Sequence, residues 1–220
     1  MPFPQDFLVT KQARSENTRL HLVRSAAELF DRNGFAGATL EDVSRAAGVT
    51  KGAFYFHFSS KDELAGAIQA EACELLRAAV YRVVAGDGRP ALQSLVDLTH
   101  ELAAWLAHEP LVRASFRTAR ECGHRGKPFL GFYADLHAAV ETLLLAAERA
   151  GDLRPGVAVE QALTLVLTVS AGVEMAWWAK ICEGDMAESL TGMWSLVLPG
   201  LATPDMLTRL RPGGTVKPGC

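Results

Sequence analysis

The chain has 220 residues, of which 49% are hydrophobic and 21% are charged, so it can bury a substantial core in one large domain or two small ones. This balance excludes an intrinsically disordered chain, and four widely spaced cysteines with no C-x-x-C pair indicate neither a zinc site nor a secreted disulfide framework. The N-terminal segment MPFPQDFLVTKQARSENTR lacks the apolar run of a signal peptide, so we expect a reduced, cytoplasmic protein.

Charge is distributed unevenly along the chain. The net charge of −3 argues by itself against a nucleic-acid partner, because phosphates are bound by cations. Up to residue 61, however, eight lysines and arginines stand against six acids, so this part carries +2 and the remainder carries −5. The two ends of the molecule therefore differ in sign, and the total charge does not exclude nucleic acid.

Apolar residues recur at helical spacing almost everywhere, with no sustained period-2 segment, which predicts an all-α protein. The first helix is expected from Thr18 to Asn33, with Gly34 as a left-handed C-terminal cap. Thr39 and Asp42 have the spacing of a capping box and should begin a second helix, which Gly48 ends.

A third short helix follows, and Thr50 is placed to cap its first turn. Two short helices joined by such a glycine-containing turn form a helix-turn-helix. Ser60 and Glu63 make an S-x-x-E capping box that should open a longer helix from Lys61 to Val84. Further helices are expected at 91–107, 110–120, 129–150, 157–182 and 186–198, the last interrupted by Pro199-Gly200.

The run from Val157 to Cys182 is apolar and long enough to be tested as a membrane span. Glu160, Gln161 and Glu174 interrupt it, and an isolated glutamate in a membrane core is costly. We therefore expect a buried helix and no association with a membrane.

A recognition helix places its N-terminal turn in the major groove, which makes the third helix the candidate DNA reader. Lys51 can donate to guanine O6 and N7 or to a phosphate, while the small residues Gly52 and Ala53 let the backbone approach closely. The candidate DNA contacts of the whole region are Thr39, Arg45, Thr50, Lys51, Gly52, Ala53, Tyr55, His57 and Lys61. For Lys61, a plain surface lysine is the alternative.

The aromatic residues of the third helix divide by helical geometry. Phe54 and Phe58 lie four apart and fit the apolar core, whereas Tyr55 can turn its hydroxyl outward to a phosphate. Phe56 fits either side. His57 can donate to a phosphate or serve as a structural histidine.

The run from Thr18 to Leu64 contains AAELF, TLEDVSRAAGVTKG and YFHFSSKDEL in this order. In these motifs it resembles the N-terminal domain of the tetracycline-repressor (TetR) family of transcriptional regulators. The resemblance implies a homodimer that binds a palindromic double-stranded DNA operator and leaves it when a small hydrophobic signal enters the C-terminal domain. It also implies that the helix beginning near Lys61 transmits the change by moving the two recognition helices apart.

A narrower likeness extends over most of the chain. GVTKGAFYFHFSSKDELA is similar to the recognition segment of the γ-butyrolactone receptors of antibiotic-producing actinobacteria. LVRASFR, from Leu111 to Arg117, resembles their V-x-R-A-G-x-R segment, and LVLPGLATPDML resembles their L-P-x-x-x-x-P ending. The likeness implies a repressor of antibiotic or other secondary-metabolite genes.

One departure from the receptors concerns the effector. They carry a tryptophan shortly after a P-F pair at the start of the helix that begins here at Pro128-Phe129, where this sequence has Phe132 and Tyr133 instead. The effector therefore stays open between a γ-butyrolactone, a butenolide, a furan and, for a pseudo-receptor, an antibiotic or biosynthetic intermediate.

Aromatic residues on the later predicted helices are the candidates for effector binding, because a pocket between bundle helices suits a small apolar ligand. They are Trp105, Phe116, Phe132, Tyr133, Trp177 and Trp178. Ordinary core packing is the alternative for each, although adjacent Trp177 and Trp178 diverge by about 100° around a helix and cannot face the same core. The resemblance implies dimerisation through the last two long helices, with Met193, Trp194 and Val197 as interface candidates.

The expected organisation follows from these segments. We expect a flexible arm (1–15), a DNA-binding domain (16–62, with the helix-turn-helix at about 39–58), a ligand-binding and dimerisation domain (63–205) and a tail (206–220).

An enzyme is the competing class, but the sequence has no G-x-S-x-G, no H-E-x-x-H and no phosphate-binding glycine loop. His100 and His108 with neighbouring glutamates fit solvated residues better than a metal group. We expect no catalytic, metal or cofactor site. A purely structural interaction protein, the third class, would not need the Thr50-Lys51-Gly52 helix start.

Overall fold

The structure, a computed structural model, describes residues 5–85, 88–181 and 184–215. Over these ranges the helices are α1 (Gln5–Gly37), α2 (Leu40–Ala46), α3 (Lys51–His57), α4 (Lys61–Ala85), α5 (Ala91–His108), α6 (Pro110–Cys122), α7 (Gly131–Arg149), α8 (Val159–Trp178), α9 (Met186–Leu201) and α10 (Pro204–Leu207). Two 3-10 turns, Gly123–Arg125 and Lys127–Phe129, connect α6 to α7. The described residues form no strand beyond an isolated bridge between Leu153 and Ala202, and the all-α prediction is confirmed.

The chain divides into two compact units. The first unit contains the chain up to Cys73 together with Glu109–Phe132, and the second contains Glu74–His108 and the chain from Tyr133 onward. Helix α6 thus packs with α1 although the two are distant in sequence. The predicted division at residue 62 concerns function rather than compactness, so it stays a prediction.

Helix α1 begins earlier than the sequence predicts. The arm expected over residues 1–15 is helical from Gln5, because no proline or glycine lies between Gln5 and Thr18. Gly34 has φ 77° and ψ 166°, so the helical geometry breaks there before it resumes. The positive φ agrees with the predicted need for glycine, while the extended ψ differs from a left-handed helical cap.

The core of the first unit holds α1, α2 and α3 together. Leu22, Phe30, Val43, Phe54 and Phe58 are all buried in one hydrophobic cluster. The same cluster includes residues of α6, so the helix-turn-helix rests on a core to which a segment from the middle of the chain contributes.

Helix α8 is long and apolar enough to cross a membrane, with a mean hydropathy of 1.2, and no other helix among the described residues meets that test. Only 28% of its most apolar window is buried, so the expectation of a buried helix is not met within the protomer. Leu165 and Met175 are 41% and 42% exposed, whereas Glu174 is buried. Large apolar side chains of α8 thus face outward, while the Glu174 side chain is turned inward.

Helix α9 continues to Leu201, so Pro199-Gly200 does not interrupt it as expected. Pro199 lies in the last turn, where its missing N–H removes a single hydrogen bond and the chain leaves the helix soon afterwards.

The segment expected as a tail from residue 206 docks on α5 as far as Thr215. Asp97 accepts from the Thr215 amide at 2.7 Å, and His100 Nε2 lies 2.9 Å from the Pro212 carbonyl oxygen. His100 is therefore buried against this segment rather than solvated. Within the described ranges there is no group of three or more His, Cys, Asp or Glu side chains that could hold a metal ion.

Candidate DNA-binding surface and effector cavity

Local caps build the turn between α2 and α3. Thr39 Oγ1 accepts from the Asp42 amide at 3.1 Å, and an Asp42 oxygen accepts from the Thr39 amide at 3.3 Å, which is the predicted capping box. Gly48 leaves α2 with φ of 62°, a left-handed value that favours glycine. Thr50 Oγ1 then caps α3 by accepting from the Ala53 amide at 3.2 Å. The predicted helix-turn-helix start and stop signals are confirmed.

Helix α3 has a buried face and an exposed face. Phe54 and Phe58 are buried with ring centroids 6.0 Å apart, as predicted from their spacing. The exposed residues of the helix are Lys51, Gly52, Tyr55 and Phe56. Tyr55 is 50% exposed and Phe56, which the spacing left ambiguous, is 78% exposed. The outer face therefore carries a cation, a glycine that leaves the backbone accessible, and two aromatic rings.

The two candidate contacts in and before α2 are already engaged with acidic neighbours. Arg45 pairs with Asp42 at 3.2 Å and with Glu41 at 3.4 Å, and its side chain is 70% exposed. Exposed pairs of this kind are weak, so Arg45 can exchange them for a phosphate. Thr39 Oγ1 also donates to Asp42 at 2.6 Å, so a DNA contact through this hydroxyl would remove part of the cap.

Lys61, at the start of α4, lies against aromatic rings. Its Nζ is 4.4 Å from the centroid of the Phe35 ring and 5.8 Å from that of Phe30. Burial lowers the pKa of Lys61 below its ordinary value of 10.5. These cation–π contacts give Lys61 a packing role at the start of α4. His57 is half-buried, with its ring edge-to-face to Phe56 at 5.1 Å.

The cap of α4 differs in part from the prediction. Ser60 Oγ accepts from the Glu63 amide at 3.1 Å, as expected for a capping box. The Glu63 carboxylate, however, accepts from the amide and hydroxyl of Ser59, at 2.7 and 2.6 Å. The bonds from the Ser59 hydroxyl and amide hold the pKa of Glu63 below its ordinary value of 4.5. The return bond from the Glu63 carboxylate thus goes to Ser59, one residue before the predicted partner Ser60.

The aromatic residues predicted to bind the effector do not line one cavity. Phe116 and Phe132 are buried in the first unit with ring centroids 5.6 Å apart. Gln69 supports Phe132 by accepting from its amide at 3.0 Å. The other four candidates belong to the second unit, half-buried except for Trp178, which is 52% exposed: Trp105, Tyr133, Trp177 and Trp178.

Two clefts of the second unit are large enough to hold a small molecule. The smaller, of about 300 Å³, lies along α8 and includes Trp177. The larger, of about 540 Å³, lies between α4 and α7 and contains none of the predicted residues. Its lining consists of Leu76, Arg77, Val80, Tyr81, Asp135, Ala138, Ala139 and Thr142.

The larger cleft combines an apolar floor with a charged edge. Arg77 Nη2 lies 3.0 Å from Asp135 Oδ2, and Arg77 also pairs with Glu74 on its own helix. Tyr81 is 74% exposed at the rim. A ligand buried here would meet alkyl side chains and two opposite charges that already satisfy one another. Lining residues of this cleft recur four apart on α4 and on α7, as Leu76 and Val80 do. Residues of a helix that face the core have the same spacing, so the sequence alone does not distinguish this cleft from the core.

The three interface candidates on α9 differ in how far they are exposed. Trp194 has no exposed surface, and its Nε1 donates to Thr99 Oγ1 at 2.8 Å. Trp194 therefore belongs to the core of the second unit and not to an interface. Met193 is 8% exposed, which also places it inside the protomer, and Val197 is half-buried. Leu196, which the prediction omitted, is 84% exposed. A side chain without exposed surface cannot contact a second protomer, which is why residue type alone misplaced Trp194.

Comparison with known proteins agrees with this architecture. The family model for bacterial regulatory proteins of the tetR family matches residues 22–68. The A-factor receptor protein of Streptomyces griseus is 30% identical over 208 residues, which cover 94% of this chain and 72% of that protein. A crystal structure of a γ-butyrolactone receptor superposes with a TM-score of 0.70 at 30% identity, covering 90% of this chain and 93% of the receptor. CprB of Streptomyces coelicolor, in complex with its biological operator sequence, superposes with a TM-score of 0.69 at 28% identity, covering 89% of this chain and 94% of CprB. The chain therefore belongs to the TetR family of bacterial transcriptional regulators and is not an enzyme.

Proposed function

We propose that this regulator binds a palindromic operator as a homodimer through the outer face of α3 and represses transcription until a small, mainly apolar effector releases it. The observation that supports this most directly is the division of α3, which anchors Phe54 and Phe58 in the core and leaves Lys51, Gly52 and Tyr55 outside. A capped helix start with a lysine and a glycine suits the floor of the major groove.

Contacts around α3 would be of two kinds. Lys51 is proposed to read a guanine edge or a phosphate, and Gly52 with Ala53 to allow close approach of the helix. Phosphate contacts from Thr50, Tyr55 and His57 would position the helix without reading sequence. Thr39, Arg45 and Lys61 lie close to α3 in sequence and are proposed as further contacts to the DNA backbone, and the side chain of Arg45 is 70% exposed.

The cleft between α4 and α7 is the proposed effector site, ahead of the predicted aromatic set. Its volume of about 540 Å³ suits a small ligand, and its floor of Leu76, Val80 and Ala139 suits an alkyl chain. Arg77 and Asp135 at its edge can exchange their mutual pair for polar groups of a lactone, butenolide, furan or biosynthetic intermediate. The similar A-factor and γ-butyrolactone receptors support an effector of this size, and secondary-metabolite genes as targets.

Dimerisation is proposed through the exposed faces of α8 and α9. Leu196 is 84% exposed, Trp178 is 52% exposed, and Leu165 and Met175 add to an apolar surface that a single protomer leaves open. Burial of such a surface favours association, and this gain is opposed by the translational and rotational freedom that the two protomers lose. Two recognition helices held by one dimer would match the symmetry of a palindromic operator.

A DNA-binding assay tests the proposal. Purified dimer and DNA from upstream of its own coding region should form a specific complex whose affinity falls steeply with salt. Lys51→Ala should weaken this complex by about 1–3 kcal/mol per half-site and leave the fold intact. Arg209→Ala, which removes an exposed cation from the second unit, is the matched control and should bind like the wild type. Equal affinity of the Lys51 variant and the wild type would exclude α3 as the reading helix.

A further inference from the structure

The break in α1 at Gly34 separates two backbone atoms that an unbroken helix would join. In a continuous α-helix the Phe35 N–H would donate to the Asp31 carbonyl. The ψ of 166° at Gly34, in place of a helical value, turns the following peptide away from that carbonyl. Both groups lie in a partly buried region and require new partners.

Helix α6 supplies those partners through one ion pair. Glu121 Oε2 accepts from the Phe35 amide at 2.7 Å, and Arg117 Nη1 donates to the Asp31 carbonyl at 2.6 Å. Arg117 Nε also lies 2.8 Å from Glu121 Oε1. The ion pair therefore connects the Asp31 carbonyl to the Phe35 amide, the two groups that the missing helical hydrogen bond would have joined. Arg113 adds a second tie to Asp31, at 2.7 Å between Nε and Oδ2. We call Arg113, Arg117 and Glu121, with their partners on α1, the α1–α6 latch.

The glycine is part of this arrangement for two reasons. Its φ of 77° with an extended ψ is a conformation that side chains rarely adopt. A Cβ at Gly34 would also lie 2.7 Å from Glu121 Oε1 and 2.9 Å from Arg117 Nη2. The break in the helix and the pair that fills it therefore depend on each other.

The latch holds the residue on which the start of α4 packs. The Phe35 ring lies edge-to-face with Phe30 at 5.4 Å and with Phe129 at 5.5 Å, and Lys61 Nζ lies over it at 4.4 Å. Arg125 lies over the same ring at 5.5 Å and pairs with Asp62 at 2.5 Å. Lys61 begins α4 directly after α3 and the short connection that follows it. The position of Phe35 thus affects the position of Lys61 and the start of α4, which follows α3 in the chain.

All residues of the latch belong to the first unit, which the chain re-enters at Glu109, just before α6 begins at Pro110. The segment LVRASFR, singled out in the sequence for its likeness to γ-butyrolactone receptors, contributes two of the latch arginines.

We infer that the α1–α6 latch is a positioning element that sets operator affinity: Arg117 and Glu121 fix Phe35, and through it Lys61 and α3, in the arrangement that binds DNA. The inference rests on the proposed DNA-binding function. It treats Arg117 and Glu121 as positioning residues, since neither lies on the outer face of α3.

Operator affinity of latch variants tests the inference. Arg117→Ala and Glu121→Ala should weaken operator binding roughly 2- to 30-fold at fixed salt, at a temperature where circular dichroism shows each variant to be folded. Arg154→Ala is the matched control, because Arg154 Nη1 donates to the Pro199 carbonyl at 2.7 Å near a helix end of the second unit. This variant should bind the operator like the wild type.

Two further measurements separate positioning from plain stability. Glu121→Gln keeps an acceptor for the Phe35 amide and removes the charge pair, so it should fold even if Arg117→Ala does not, and should still bind the operator more weakly. Because linkage is reciprocal, operator binding to the wild type should slow hydrogen exchange of the Phe35 amide.

The outcomes are distinct. Unchanged or tighter operator binding by folded latch variants, or unchanged exchange at Phe35, would overturn the latch inference while leaving the proposed function in place. Failure of the wild type itself to bind DNA specifically would overturn both.

Discussion

Two glycines with positive φ allow the backbone argument to be tested by one substitution made in two places. Gly34 and Gly48 have φ of 77° and 62°. A Cβ at Gly48 would meet nothing within 4 Å, whereas a Cβ at Gly34 would collide with the side chains of Arg117 and Glu121. Replacement by alanine should therefore cost backbone strain alone at Gly48, and strain together with displacement of the ion pair at Gly34.

The magnitudes follow from these contacts. Alanine in a left-handed conformation costs about 1–2 kcal/mol, which is the full expected loss for Gly48→Ala. At Gly34 the extended ψ raises the strain to about 1–3 kcal/mol. Loss of the bond from the Phe35 amide to the charged Glu121 oxygen adds about 1.5–3 kcal/mol. Gly34→Ala should thus destabilise the chain by about 2.5–6 kcal/mol, and the change in unfolded-state entropy is common to both variants and cancels in their difference.

Urea unfolding followed by far-UV circular dichroism measures the difference between the two variants. The wild type and Gly48→Asn serve as references, since asparagine tolerates a left-handed backbone better than alanine. An equal loss of unfolding free energy in the two alanine variants, or a larger loss for Gly48→Ala, would refute the idea that the ion pair beside Gly34 requires glycine there.

Three further outcomes are expected. Trp194→Phe should lower the free energy of unfolding by about 1–3 kcal/mol in thermal denaturation, because it removes a buried hydrogen bond, and an unchanged free energy of unfolding would contradict this role of Trp194. The hydroxyl and amide of Thr39 hold the pKa of Asp42 below its ordinary value of 3.8, and Glu63 is lowered in the same way by Ser59. Both caps therefore stabilise the protein at pH values above these ordinary pKa values, and this stabilisation is lost as the pH falls through the lowered pKa values. An NMR titration between about pH 5 and 2 should show the chemical shifts of the first turns of α2 and α4 changing. Constant shifts over this range would contradict the assignment. Leu196→Glu should convert the dimer to monomer in sedimentation analysis, and an unchanged dimer would exclude the exposed face of α9 from the interface.

The helix-turn-helix could be predicted from sequence because its signals are local. Thr39, Gly48 and Thr50 act on amides or dihedral angles within four residues of themselves, so their identity and spacing suffice. The same holds for the burial of Phe54 and Phe58, which lie four apart on one short helix.

The rest depends on contacts between distant parts of the chain. Glu121 binds the Phe35 amide across 86 residues, and no local pattern announces that a helix from the middle of the sequence will cap the first one. The cleft between α4 and α7 could not be predicted for a related reason: aromatic residues such as Phe116 and Phe132 fit a core as well as a pocket, and the apolar part of that cleft is formed by alanine, valine and leucine, which core positions share.

The separation of α3 into a buried face and an exposed face bears on how such regulators acquire new operators. A seven-residue helix has no stability of its own and depends on its cap and on two buried phenylalanines. Tyr55 packs edge-to-face on Phe54 with ring centroids 5.5 Å apart, whereas Lys51, Gly52 and Phe56 lie outside the hydrophobic cluster of the first unit, so these three can be exchanged while the scaffold stays the same. Replacement of Lys51, Gly52 and Phe56 by the corresponding residues of another regulator should redirect the protein to a new operator at little cost in stability.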